Sequence, residues 1–503
     1  MRRILSCLLA ITLALGHAPA HSESLLPEVL SPYSAPETVD EMRYQTSLPL
    51  YFPSLDGRNL FADPMTFTLP RGQMSARTIL QALFMHPADQ QTQSPGGETD
   101  LHLYGKMPVE VSSGICTVNL DSSALALDAQ DLYTLSLCMA ASLDGINGIH
   151  SINLLIADRA VGMDVADYLP CGSVTAHSGV ELPVLWEQMR TRATPLGENP
   201  AEIPLSLNAT LYFPLSDELG CMPEVRTLSF DGQTPAILAE GLISALSQGA
   251  HYLPLCDSAD IASLLSGDVE VSELAGGGRL LTLHFQSELE SRLSLMGVRP
   301  INLLASLVMT LTTLIPSVGA VRIFSGSTLM TSLYDDEFGM LTFEDGYQYR
   351  RQYQSFLRDT ARFYVAKDRA LTAITRSVPT GTTEDIPTLL RLLSEGVTDT
   401  ERQTGLSATV PPGLNEEDVL GLAMQDDTLL VNLSPRSMRL FSAISGDQEM
   451  LLCYSLVTTF CEALHISRVR FFFDGAMPQT LGGNIFWGGV FYLNYSLINQ
   501  NRG

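Results

Sequence analysis

Lysine is nearly missing: Lys106 and Lys367 are the only two among 29 basic residues, which face 55 acidic ones. The formal charge of −26 repels nucleic acid and anionic lipid headgroups, so neither is an expected partner. Solubility alone accounts for such a surplus; an acidic surface meant for a basic partner is the other reading. Metal-binding spacings are missing too. Nine histidines give no His-x-His and no His-Glu-x-x-His, and the cysteines give no Cys-x-x-Cys, so no metal or other cofactor is implied. There is no Gly-x-Ser-x-Gly elbow for a serine hydrolase. Asp335-Asp336-Glu337 and Glu416-Glu417-Asp418 are carboxylate runs, but acid–base work needs differently tuned carboxyls facing one cleft, and such runs read as solvated loops. Gly276-Gly277-Gly278 lacks the Lys-Ser or Lys-Thr of a phosphate loop and reads as a hairpin turn.

No segment beyond the beginning reads as able to span a membrane. Arg2 and Arg3, the apolar stretch Ile4–Gly16 and the small residues Ala18-Pro19-Ala20 have the pattern of a secretory signal peptide over residues 1–20, cut after Ala20. The apolar stretch is shorter than the about 20 residues a membrane span requires, and Cys7 after Ile4-Leu5-Ser6 only faintly matches a lipidation box. An extracytoplasmic protein is expected, secreted or at the outer face of the membrane, and loss of Arg2 and Arg3 would take its charge from −26 to −28. Seven cysteines would remain, an odd number without shared spacing and so a poor disulfide framework. Cys221 with Cys256 is the one pair worth testing.

At 503 residues with 45% apolar content, the chain can bury several cores. Residues 21–47, rich in Pro, Glu and Ser, read as a disordered tether. Beyond them a pattern recurs. Leu50-Tyr51-Phe52-Pro53 returns as Leu211-Tyr212-Phe213-Pro214 and more faintly as Arg362-Phe363-Tyr364-Val365. After each opening come a helical stripe, a hairpin, a longer helical stripe and an aliphatic closing strand. In the first copy these are a helix from Ser75 to about Met85, Val109–Val111 and Ile115–Leu120 flanking Ser113-Gly114, a helix from about Asp131, and Ile152–Ile156. The third copy carries a helix from Pro387, strands Val419–Met424 and Thr428–Leu433, and the stripe Met450, Tyr454, Val457, Cys461, Leu464. The fold class expected is α+β, in three tandem small domains with tails, 48–200, 207–350 and 358–503. Each would pack two helices on a small mixed sheet in ββαββαβ order.

The third copy carries further motifs: Leu389-Leu390-Arg391-Leu392-Leu393-Ser394-Glu395-Gly396, Thr404-Gly405-Leu406-Ser407, Val410-Pro411-Pro412-Gly413, Leu430-Val431-Asn432-Leu433-Ser434 and Phe473-Asp474-Gly475. Together they resemble the GerM-type domain of sporulation and spore germination proteins. The earlier copies depart from it: Ser325-Gly326 stands where Asp-Gly is usual, Asp158-Arg159 lacks the glycine, and neither has the Pro-Pro-Gly entry. The resemblance implies a unit similar to the ring-building motif of envelope complexes, without known catalysis. It implies a role in assembly or localisation, with envelope or sporulation proteins, or a second copy, as partners. Peptidoglycan or small-ligand binding at a domain junction and an envelope hydrolase are the alternatives. The aromatic tail residues Phe486, Trp487 and Phe491 are the candidates for partner binding, and packing onto the third core is their bland alternative.

Overall fold

In the computed structural model, residues 33–499 are described, apart from 40–42, 71–73, 87–89, 165, 178, 193–198, 217, 426 and 445. The expected signal peptide, and residues 21–32 of the expected tether, lie outside them.

Part of the rest of that tether belongs to the fold. Arg43–Ser47 open strand β1 (Arg43–Pro53), which pairs antiparallel along its whole length with β2 (Leu60–Pro70). Tyr44 and Leu48 pack against the core, which is why pairing starts so early. The Leu-Tyr-Phe-Pro signature therefore ends its strand instead of opening it, with Pro53 closing the paired run. After α1 (Met74–Met85) come β3 (Val109–Ser112) and β4 (Ile115–Leu120), then α2 (Ala129–Leu143), β5 (Ser151–Ile156), β6 (Arg159–Ala160) and α3 (Leu182–Arg190). The Ser113-Gly114 turn joining β3 to β4 has φ of 51° and 73°, the left-handed pair that a tight hairpin demands and that glycine supplies without strain.

The same order returns twice. Second come β7 (Leu205–Pro214), β8 (Cys221–Phe230), α4 (Pro235–Ser247), β9 (Glu270–Glu273), β10 (Arg279–Phe285), α5 (Leu289–Leu295), α6 (Pro300–Leu314), β11 (Val318–Ser325) and β12 (Thr328–Leu329), followed by a small hairpin, β13 (Ser332–Asp335) and β14 (Gly339–Thr342). Third come β15 (Arg358–Lys367), β16 (Ala370–Pro379), α7 (Ile386–Glu395), α8 (Asp399–Gln403), β17 (Val419–Gln425), β18 (Thr428–Leu433), α9 (Pro435–Ser442), α10 (Asp447–Leu464), β19 (Arg468–Phe473) and β20 (Phe491–Tyr492). Local chemistry sets the helix starts: Asp128, Thr234 and Asp385 accept the backbone N–H of Asp131, Ile237 and Thr388, and Pro235 and Pro387 occupy first-turn positions where no N–H is needed.

Each copy holds two sheets. The first two strands form a separate hairpin, and the other four form a mixed sheet: β3-β4-β5-β6, β9-β10-β11-β12 and β17-β18-β19-β20. In every one the middle pair is parallel and the outer pairs antiparallel. The architecture is thus α+β, with a fourth strand in each sheet beyond the expected order. The register is also common: past the second strand, Ala157 N–H reaches Leu120 C=O, Gly326 N–H reaches Phe285 C=O and Asp474 N–H reaches Leu433 C=O.

One further contact is made three times. The long helix of each copy lends a hydroxyl to the hairpin: Tyr51 N–H donates to Ser142 Oγ at 2.9 Å, Tyr212 N–H to Thr310 Oγ1 at 2.9 Å and Tyr364 N–H to Thr459 Oγ1 at 3.3 Å. Tyr364 is accordingly the counterpart of Tyr51 and Tyr212, one residue later than the sequence comparison aligns it. The cores are distributed unevenly. A single buried cluster runs from Leu50 to Leu357 through the first two copies, while the third has its own around Phe441, Leu456 and Phe471.

Candidate interaction surfaces

The outer face of the first sheet is consumed by the second copy. Thr117 and Asn153 project from it, and Asn153 Oδ1 accepts from Ser173 Oγ at 2.8 Å and Thr210 Oγ1 at 3.0 Å, while Asn153 Nδ2 donates to Thr117 Oγ1 at 3.2 Å. All four are buried, and a buried polar group is tolerable only when so satisfied. Beside them Arg350 is 1% exposed and donates to Glu110 Oε2 at 2.5 Å, to the Tyr212 hydroxyl at 3.1 Å and to Thr313 Oγ1 at 2.5 Å. Burial works against the Arg350 charge, but Glu110 and Tyr212 outweigh it and hold its pKa above the ordinary arginine value. These groups fasten the first copy to the second, with only Nε of the Arg350 guanidinium left without a partner among the described residues.

The tail aromatics divide. Trp487 is wholly buried and Phe491 nearly so, packed with Phe441, Phe471 and Phe473, whereas Phe486 is 63% exposed. Burial therefore withdraws two of the three expected contact residues from the surface, and Phe486 alone stays available. Glu449, fully buried near the start of α10, holds this tail: Trp487 Nε1–H, Gly482 N–H and Asn484 N–H all donate to its carboxylate, at 2.8 to 2.9 Å. Burial pushes the Glu449 carboxyl up, yet those donors more than offset it and hold it below the ordinary range.

The first strands of the three sheets are edges with different fates. All four residues of β3 are buried, under a segment in which Gln354 Nε2 donates to Glu110 Oε1 at 2.8 Å and Arg358 C=O accepts from Ser112 Oγ. Along β17 lies the segment after Ser34: Leu422 N–H donates to Thr38 C=O at 2.9 Å, Val39 bridges Leu422 in parallel, and Asn432 Nδ2 donates to Pro36 C=O at 2.9 Å. Gly421 permits this, since a Cβ there would stand 2.2 Å from the Pro36 carbonyl oxygen. A glycine within a strand pattern is the sequence signal for such a close approach. The four residues of β9 are all exposed.

Reactive chemistry finds little support. Burial pushes every described thiol upward, those of Cys171, Cys256 and Cys461 to about 12, which disfavours a thiolate at neutral pH. Cys221 and Cys256 are free. Cys221 lies opposite Pro214 and Cys256 bridges Leu215, with no disulfide between them. Among the described residues no group of three or more His, Cys, Asp or Glu could hold a metal ion. A cleft of about 630 Å³ lies between Gly114 and Asn147 of the first copy and Asp359, Arg362, Glu462 and Tyr495 of the third. Asp359 Oδ1 accepts from Thr360 N–H at 2.8 Å and Ser113 N–H at 3.4 Å, and burial raises its carboxyl pKa. Tyr495 and His465 are the ring-bearing residues lining the cleft.

The class defined by these features is a repeated small α+β unit with its polar groups spent on internal fastening. Residues 356–478 match the Germane family, described as sporulation and spore germination, and form a GerM-type domain. Among solved structures the chain is similar to the tandem GerMN domains of the sporulation protein GerM from Bacillus subtilis, at 16% identity over 54% of this chain and 92% of that one, with a TM-score of 0.21. It is also similar to the first GerMN domain of that protein, at 15% identity over 25% of this chain and 89% of that one, with a TM-score of 0.18. No curated protein matches.

Proposed function

We propose that the chain is an exported, non-enzymatic envelope protein of three GerM-like units, 48–200, 207–350 and 358–503, that serves assembly or localisation in sporulation or germination by binding envelope proteins. The family match over 356–478 carries this reading. The three like sheets and their common register support extending it to the earlier units, and the raised thiols together with internally satisfied carboxylates such as Glu110 and Glu449 favour binding over catalysis. The test is a pull-down with the tagged full chain from solubilised envelopes of sporulating cells, run beside retention of the pure protein on isolated cell-wall material. Saturable capture of discrete envelope proteins, with no retention on wall, is the expected result. Retention on wall without protein capture would replace this reading with ligand binding, for which the 630 Å³ cleft beside Asp359 and Tyr495 is the place to look.

A further inference from the structure

We propose that the open edge of β9 is a docking strip for an extended, lysine- or arginine-bearing segment of a partner protein, which joins the second repeat's sheet as an added strand. This rests on the reading of the chain as a binding protein and names the partner's chemistry.

Three observations carry it. The equivalent edges show what such an edge takes in this fold: β3 lies under the segment entering the third repeat, and β17 holds Thr38 and Val39 in parallel through the Leu422 amide. Among the described residues, no hydrogen bond from another segment reaches the outer edge of β9. Secondly, Val271 lies opposite Leu281, as Val111 lies opposite Cys116, in the register common to the sheets. Val111 is 4% exposed and Val271 42%, although both point to the apolar, helix-bearing side. What is missing at β9 is the cover, not the apolar residue.

The third observation is the phase of the ladder. Leu274 N–H bonds Gly278 C=O, and Arg279 N–H turns the other way, to Ser317 C=O. In an antiparallel pair bonded and non-bonded positions alternate, so Ser272 bonds β10 while the N–H and C=O of Val271 and Glu273 point outward. Those groups are a strand-addition template. The side chains choose the occupant: Asp268, Glu270 and Glu273 flank the strip and no Lys or Arg lies between 268 and 273, so a cationic strand is complementary and an acidic one is repelled.

Val271→Pro tests this cleanly, because it deletes an outward donor without touching a ladder bond, a place where an edge strand accepts proline. Binding of a labelled peptide alternating Lys and Val is measured by anisotropy on the full chain and compared with a Glu/Val peptide and with a Lys/Val peptide N-methylated on one edge. Saturable binding of the first alone, weakened at least about tenfold by Val271→Pro, is expected. Equal binding of the N-methylated peptide, no effect of Val271→Pro in a folded variant, or no saturable binding at all would overturn the proposal. Should Val271→Pro fail to fold, the surface variant Glu270→Lys/Glu273→Lys must exchange preference from the Lys/Val to the Glu/Val peptide, and unchanged preference overturns it equally. The envelope pull-down can succeed while Val271→Pro is neutral, so failure of the strip and failure of the wider reading remain distinguishable.

Discussion

The two junctions between the repeats differ in kind. The first and second copies share one core, sealed by Asn153, Thr210 and Ser173 and by the Arg350–Glu110 pair. The third keeps its own core and touches its neighbours through narrower means, among them the Ser377 hydroxyl on Glu218, the Ser112 hydroxyl on Arg358 C=O and the Ser113 amide on Asp359. One repeated topology has thus been joined once by fusion and once by contact. The chemistry that decides which lies in outer-face residues, Thr117 and Asn153 against Leu430 and Arg470, which the shared inner-face pattern does not constrain.

The largest expected effect breaks the fused junction. Arg350→Met leaves Glu110 buried without its countercharge, which costs about 3–5 kcal/mol. Calorimetry of the full chain should then show the transition of the first two repeats lowered and that of the third in place. A uniform loss would mean that the two junctions are equally tight.

The converse variant attacks the third repeat alone. Glu449→Ala strands the Trp487 indole N–H and two backbone amides, for a loss of about 2–3 kcal/mol confined to that repeat's transition. Its pH dependence has a definite sign. The folded carboxyl titrates below the ordinary value of 4.5, so its contribution is full above that pH and fades as pH falls through the folded value. Acid titration of the melting temperature should show this fade in the native chain and not in Glu449→Gln.

Much of this was legible in the amino-acid order because periodicity reports inner faces. Leu132, Leu135 and Met139 on α2, and Val457, Cys461 and Leu464 of the α10 stripe, are buried, while Met450 and Tyr454 of that stripe are half-buried; Ser113-Gly114 specifies its turn by itself. What was not legible depends on chain segments far apart in sequence. Pro36 meeting Asn432, or Arg350 meeting Glu110, leaves no local pattern. Composition misled at 43–47, where polar residues alternating with Tyr44 and Leu48 form half of a hairpin. The tail aromatics could not be sorted from sequence, since Phe486 and Trp487 are neighbours and only the Glu449 acceptor decides which one turns inward.

A smaller effect sharpens the likeness between the copies. Ser142→Ala, Thr310→Val and Thr459→Val each remove the hydroxyl that meets the hairpin amide, at about 1 kcal/mol apiece. If the three units are equivalent, the losses agree, with Thr459 the least because its contact is the longest at 3.3 Å. A loss at only one position would show that the triplicated bond is geometric coincidence.

The smallest effect lies at the looser junction and has the opposite pH sign to Glu449. Burial raises the Asp359 carboxyl above its ordinary 3.8, so the folded chain binds its proton more tightly than the unfolded one. The ionised carboxylate then costs stability as pH rises through and beyond that value. Asn keeps an oxygen acceptor for Thr360 N–H and Ser113 N–H without the charge. Asp359→Asn should therefore raise the melting temperature at neutral pH by the equivalent of at most about 1 kcal/mol, and the gain should vanish below the ordinary carboxyl value. A gain that persisted in acid would place the cause in packing, and a loss at neutral pH would show that the charge itself is used in the cleft between the first and third repeats.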